Sequence, residues 1–139
     1  MIGRKGAISM YVRSGNAGGG ALSEVSLWTN GSQTSTFASQ DVSLSDNINN
    51  YKYIKVKFRV STSVSTSASV IVSVTDLLTM TNSANTVKFG ISALISSATH
   101  SRSGYYVSDT KINIGNCYKY NSTTMVNTAC IPIEVIGMK

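Results

Sequence analysis

Tyr51-Lys52-Tyr53-Ile54-Lys55-Val56-Lys57-Phe58-Arg59-Val60 is the stretch whose reading decides the fold. Ile54, Val56, Phe58 and Val60 fall on one side of an extended chain, and Tyr53, Lys55, Lys57 and Arg59 fall on the other. Period-two alternation of this kind marks a strand with one face buried and the other in water. Other strand signals surround it at short intervals. Residues 25–29 precede the turn cluster Asn30-Gly31-Ser32, and residues 40–44 end at the polar stretch 45–50. Residues 69–75 carry Val70, Val72 and Val74 in phase, and residues 86–95 carry Val87, Phe89 and Ile91, with Gly90 placed for a bulge. Residues 105–107, 111–114 and 117–120 read as strands separated by Ser108-Asp109 and Gly115-Asn116, short pairs that suit antiparallel hairpins or bulges. Ile131, Ile133 and Val135 share a face opposite Glu134, and Pro132 puts that last strand at a sheet edge or at its own start.

No window gives a 3.6-residue pattern capped at both ends, and no repeat of fixed period occurs. Eight or nine short strands predict an all-β fold, an antiparallel β-sandwich or jelly-roll-like domain over residues 22–139. Residues 1–21 read as a short N-terminal arm, with a strand signal at 8–12, followed by the linker Gly15-Asn16-Ala17-Gly18-Gly19-Gly20.

The composition narrows the function. Of 139 residues 42% are hydrophobic, and only 13% are charged, about half the usual share. Roughly a third are Ser, Thr or Asn, so the surface is read as neutral and hydroxyl-rich. β-branched residues in alternating runs argue against a disordered chain. No apolar run is long enough for a membrane helix, and the short run after Arg4 and Lys5, broken by Ser9 and closed by Arg13, lacks the pattern of a signal peptide.

Catalysis finds little to work with. His100 is the only histidine and sits in the polar segment 98–104, read as an exposed loop. Neither Ser101 nor Ser103 lies in a GxSxG elbow, and Gly18-Gly19-Gly20 lacks the Lys-Ser/Thr pair of a phosphate loop. The carboxylates Glu24, Asp41, Asp46, Asp76, Asp109 and Glu134 fall mostly at turns and strand ends, where they stabilise turns. Cys117 and Cys130 have no metal-ligand spacing, lie on neighbouring strands, and read equally as a disulfide or as free thiols. No catalytic residue, metal site or cofactor is expected.

Binding is the better prospect. The formal charge is +6, and Tyr53, Lys55, Lys57 and Arg59 form a basic aromatic stripe of the type that single-stranded nucleic acid uses. The competing reading is a solvated face whose lysines discourage edge pairing, and it is favoured because the remaining positive charge is scattered. Trp28 is placed in the core. Tyr105, Tyr106, Tyr118 and Tyr120 are the exposed-aromatic candidates, some of them core by alternation, and Tyr118 and Tyr120 join the stripe as candidate surface-ligand contacts.

Several segments together resemble a small domain of bacteriophage fibre and virion structural proteins. They are Glu24-Val25-Ser26-Leu27-Trp28-Thr29-Asn30, Ser35-Thr36-Phe37-Ala38-Ser39-Gln40, Val42-Ser43-Leu44-Ser45, the 51–59 strand, residues 107–116, and the terminus Ile131-Pro132-Ile133-Glu134-Val135-Ile136-Gly137-Met138-Lys139. The likeness covers residues 24–60 and 105–139 and carries no catalytic residue. It implies a β-sandwich on the surface of a virion assembled in the bacterial cytoplasm, commonly a homotrimer. The short arm departs from the layout of a long tail fibre, which favours a head fibre, a capsid decoration protein or a small tail-associated subunit. On that footing Ile8, Met10 and Val12 would dock the arm on a capsid or tail protein by strand addition. A host-surface glycan or protein would be the outer partner.

Overall fold

In a computed structural model describing residues 21–139, the alternating stretch forms strand β3 (Tyr53–Ser61), with Ile54, Val56 and Phe58 buried and Tyr53, Lys55, Lys57 and Arg59 on the outer side. The arm residues Ile8, Met10 and Val12 lie outside the described residues. Two antiparallel sheets face each other. Sheet one runs β1 (Glu24–Thr29), β9 (Ala129–Met138), β3, β4 (Ser67–Ser73). Sheet two runs β2 (Gln40–Ser43), β7 (Lys111–Ile114), β6 (Ala98–Ser108), β5 (Phe89–Ile95), with the two-residue β8 (Tyr118–Lys119) beside the first half of β6. Leu27, Ile54, Val56, Phe58, Val72 and Val135 from sheet one meet Val42, Phe89, Ile91, Ile112 and Ile114 from sheet two in one buried cluster. The domain is an all-β sandwich, as the alternation predicts.

Several elements differ from the sequence reading. Residues 98–104 are not a loop but the first half of β6, paired residue by residue with β5. The inward positions of that half-strand are His100, Arg102 and Gly104, so its alternation is not one of hydropathy. His100 is accordingly buried, its Nδ1 3.1 Å from the Ala98 carbonyl oxygen. The β5–β6 hairpin turns at Ser96 and Ser97, whose φ values of 50° and 63° are those of a type I′ turn without its usual Asn-Gly. Gly90 makes no bulge and pairs in register with Ser103. Val87 lies before β5 and is exposed. β4 stops at Ser73, whose hydroxyl accepts from the Asp76 N–H and caps a one-turn helix, α1 (Val74–Leu77). Gly115-Asn116 is no hairpin turn, since β8 pairs with β6 rather than with β7.

Pro132 is the sharpest correction. It lies within β9, the strand between β1 and β3, not at an edge. The ladder is already interrupted there. On one side β1 has ended at the Thr29–Glu134 pair, and on the other the register against β3 slips between Lys57 and Phe58. The Pro132 carbonyl accepts from Asn30 Nδ2 at 2.9 Å. A proline fits inside a sheet at such a break because no ladder donor is lost.

Two glycines let an aromatic ring lie flat on a strand. A Cβ on Gly137 would stand 2.7 Å from Cγ of Tyr51, and one on Gly104 would stand 2.6 Å from the Phe89 ring and 2.8 Å from the Asn113 carbonyl oxygen. The Tyr51 hydroxyl, at the far end of its ring, donates to Asp46 Oδ2 at 2.8 Å. That bond, with the Asn47 N–H, holds the Asp46 carboxyl below its ordinary value of 3.8, and it pushes the Tyr51 hydroxyl above 10.0.

Gly104→Ala should destabilise the domain by about 1–3 kcal/mol, because backbone as well as a ring must move. Gly90→Ala, which meets nothing within 4 Å, should stay within about 0.5 kcal/mol of the parent; urea unfolding of the pair measures both. Asp46 stabilises above its unfolded value, and that contribution is lost as pH falls through the lower folded value. Tyr51 stabilises below its unfolded value, and that contribution is lost as pH rises through the higher folded one. Thermal melts should therefore hold a plateau between about pH 4 and pH 10 from this pair, and Asp46→Asn should flatten the acid limb and reduce the alkaline one.

Candidate functional site

The basic stripe lies across the outer face of sheet one, and two of its cations, Lys55 and Arg59, are already engaged within the fold. Lys55 opposes Ile71 on β4 and Ile136 on β9, so its stem lies between two isoleucines while its Nζ pairs with Glu24 Oε2 at 2.8 Å. Lys57 stands opposite Glu134. These residues, with Ser26 and Ser69, line a depression of about 420 Å³ that carries both signs of charge. Arg59 turns back on its own strand end, donating Nε to the Ser61 carbonyl at 3.1 Å. Tyr53 opens onto a separate depression with Asn49, Lys52 and Ser73. The stripe is continuous in sequence and divided in space.

Tyr118 and Tyr120 belong to the other sheet. The outer face of sheet two is ordered in rows that run across the strands. Leu94 and Thr99 form one row, which Tyr120 extends by donating its N–H to the Thr99 carbonyl at 2.7 Å. Ser92, Ser101 and Tyr118 form the next. Gly90 and Ser103 form the third, continued by Gly115, whose N–H donates to the Ser103 carbonyl at 2.8 Å. Tyr105, Asn113 and Asp41 form the fourth, and Lys88 Nζ stands 5.6 Å from the Tyr105 ring centre. Asn113 Nδ2 donates to Asp41 Oδ1 at 2.9 Å, which fixes that wall.

The third row has no side chain beyond the Ser103 hydroxyl, so a trough of about 310 Å³ crosses the sheet between Tyr118 and Lys88. Asn116 closes one end. Its Oδ1 accepts from the Ser39 N–H at 2.8 Å and from Asn127 Nδ2 at 2.9 Å, and its own amide N–H groups have no partner among the described residues. Hydroxyls on the floor, an amide at the end and a tyrosine at the wall, 39% exposed, are suited to a hydroxyl-rich ligand. Of the four aromatic candidates, Tyr105 and Tyr106 are half-buried, Tyr106 packing against the core, and Tyr118 and Tyr120 are exposed. Trp28 is half-buried, edge-on to Phe37 with ring centres 6.2 Å apart.

Sequence reading missed the trough because its floor is defined by missing side chains. It also missed Arg102, which lies beneath. Arg102 is 2% exposed, and its guanidinium donates to the carbonyls of Phe37 (3.0 Å), Gly115 (2.7 Å) and Ala129 (2.8 Å). The Phe37 ring covers it with 5.3 Å between guanidinium carbon and ring centre. Its Nε has no partner among the described residues. Burial lowers its pKa, and the neighbouring Cys117 and Cys130 thiols oppose that shift. The interaction between the two thiols lowers Cys117 and raises Cys130, and Arg102 favours the thiolate on both. Both are free cysteines.

Among the described residues no three His, Cys, Asp or Glu side chains gather where a cation could be held, and no helix is long and apolar enough to cross a membrane. The carboxylates serve local structure: Asp46 accepts from the Asn47 N–H at 2.7 Å, and Asp109 accepts from the Tyr106 hydroxyl at 2.8 Å.

Arg102→Met should cost about 3 kcal/mol or more in urea unfolding, since it strands three carbonyls at once. Arg102→Lys should recover little of that, because an ammonium lacks the fork that spans separate acceptors. Neither a family model nor a curated protein sequence matches this chain.

Proposed function

We propose that this chain is a structural protein of a bacteriophage virion, displayed on the particle as a head fibre, capsid decoration or small tail-associated fibre protein, and that it makes multivalent, low-affinity contact with the host surface. The observation that carries the adhesion reading is the trough on sheet two, an open, hydroxyl-floored channel beside Tyr118 that suits a glycan chain. The likeness of residues 24–60 and 105–139 to virion fibre domains supports the placement on a particle. The low charge and the many exposed hydroxyls and amides suit a protein working outside cells. A homotrimer would carry three troughs and three N-terminal arms, in which Ile8, Met10 and Val12 would engage a capsid or tail protein. Avidity then compensates for weak single contacts.

The alternative, nucleic-acid binding through the stripe from Tyr53 to Arg59, has less behind it. Lys55 is ion-paired with Glu24, Lys57 faces Glu134 and Arg59 is bonded to backbone. A cationic track for phosphates needs free cations.

Light scattering should give a trimer at micromolar concentration. Labelled protein should bind host cells and their extracted surface polysaccharide with little change between low and moderate salt. Tyr118→Ala should weaken single-site binding about three- to tenfold, the worth of one aromatic contact. A monomer that ignores host polysaccharide, or binding that collapses with salt as phosphate contacts do, would overturn the reading.

A further inference from the structure

The buried thiols Cys117 and Cys130 have no part in surface adhesion, yet their surroundings are specific. Cys117 directly follows Gly115-Asn116, and its N–H donates to Asn127 Oδ1 at 2.8 Å while its carbonyl accepts from the Val126 N–H at 2.7 Å. Cys130 is the second residue of β9, with its Sγ donating to the His100 carbonyl at 3.4 Å. One guanidinium, that of Arg102, bonds Gly115 and Ala129, the chain just before each cysteine. The Cys130 backbone has φ of 50°, a left-handed conformation that a non-glycine residue adopts only under constraint. Ala129, Cys130 and Ile131 are buried in succession, and the Cys130 and Cys117 thiols are near enough for each to shift the other.

We infer that Cys117 and Cys130 are a latent disulfide, closed by a hydroperoxide oxidant once the protein leaves a reducing compartment, and that closure staples the 115–130 segment to the start of β9. The bond-making steps balance with hydrogen peroxide. The Cys117 thiolate attacks one peroxide oxygen, the O–O bond breaks, and a sulfenic acid forms with hydroxide, which takes the proton Cys117 gave up and leaves as water. The Cys130 sulfur then attacks the Cys117 sulfur, the S–O bond breaks, and the Cys130 proton leaves with the departing hydroxide as a second water. Two thiols lose two electrons and one peroxide gains them. Cys117 is the attacking sulfur because Cys130 and Arg102 both favour its thiolate.

Access comes through the covering strip. The segment from Tyr118 to Val126 is held at its start by the pairing of β8 with β6 and by the Tyr120 N–H to the Thr99 carbonyl at 2.7 Å, and beyond that by the Lys119 N–H to Thr124 at 3.4 Å, the Val126 N–H to Cys117 and the Tyr118–Met125 bridge. Residues 121–125 are exposed and, among the described residues, bond only within the strip, so this turn opens without unfolding the sandwich, and peroxide is small enough to follow.

The full chain, reduced and folded, is treated with hydrogen peroxide, quenched, unfolded in iodoacetamide and digested with trypsin without reductant. Cleavage after Lys119 separates the two cysteines into peptides 112–119 and 120–139. The expected product is those two peptides joined, unalkylated, with a Tm roughly 5–10 °C above that of the reduced chain. In Cys130→Ser the sulfenic acid on Cys117 should persist and be trapped by dimedone; if that variant does not fold, the parent peptide map decides alone. Full alkylation of both cysteines after treatment overturns the inference, as does separate oxidation of each sulfur or a disulfide between two chains.

Discussion

Arg102 places a charge between two β-sheets with no carboxylate in ion-pair range among the described residues. Removing a guanidinium from water costs several kcal/mol unless its donors are filled, and here backbone fills them. The three carbonyls come from the β1–β2 connection, the β7–β8 connection and the first residue of β9. Segments distant in sequence therefore converge on one side chain, and Phe37 is drawn over it as a lid. The irregular features nearby follow from this: the left-handed Cys130, the non-pairing Gly115-Asn116 link, and the Asn116–Asn127 bridge.

The same strand sets the character of the outer surface. With His100, Arg102 and Gly104 pointing inward, the residues left to face water on that half of β6 are Thr99, Ser101 and Ser103. Small hydroxyl side chains there, flanked by Gly90 and Gly115, give the trough its open floor. Sheet one has the reverse arrangement. Its inner row is aliphatic and its outer row is long and charged, so Lys55 lies along Ile136 and pairs with Glu24 while Lys57 stands opposite Glu134. The two faces differ because the two cores beneath them differ.

That contrast also explains what could be read from the residues. β3 was legible because Ile54, Val56 and Phe58 alternate with long polar side chains, and β7 because Ile112 and Ile114 do the same. The nine-strand sandwich followed from such elements. β6 was not legible over 98–104 because its buried positions are polar or lack a side chain, and its hairpin turns on Ser96-Ser97, which carries no recognised turn signal. Pro132 misled because a proline inside a sheet is admissible only at a register break, and a break depends on where two other strands end. Tyr118 could be nominated as a contact, but the trough beside it depends on Gly90, Ser103 and Gly115 coming into one row from three strands.

The net charge of +6 is a poor guide to how this surface meets a partner, because a formal count takes no account of where each cation is held. One arginine is internal, one is folded onto backbone, and Lys55 is paired at 2.8 Å. Lys88 sits against the Tyr105 ring and donates to the Ser83 carbonyl at 3.2 Å. These four cations act within the fold, as packing stems, as an ion-pair partner and as donors to carbonyls. Apart from exposed lysines such as Lys52, Lys111 and Lys119, what remains for contact is chiefly hydroxyl, amide and aromatic, chemistry that recognises polar ligands by shape and hydrogen bonding over short range. Single contacts of that kind are weak, so a surface of this composition gains most when several copies are held together.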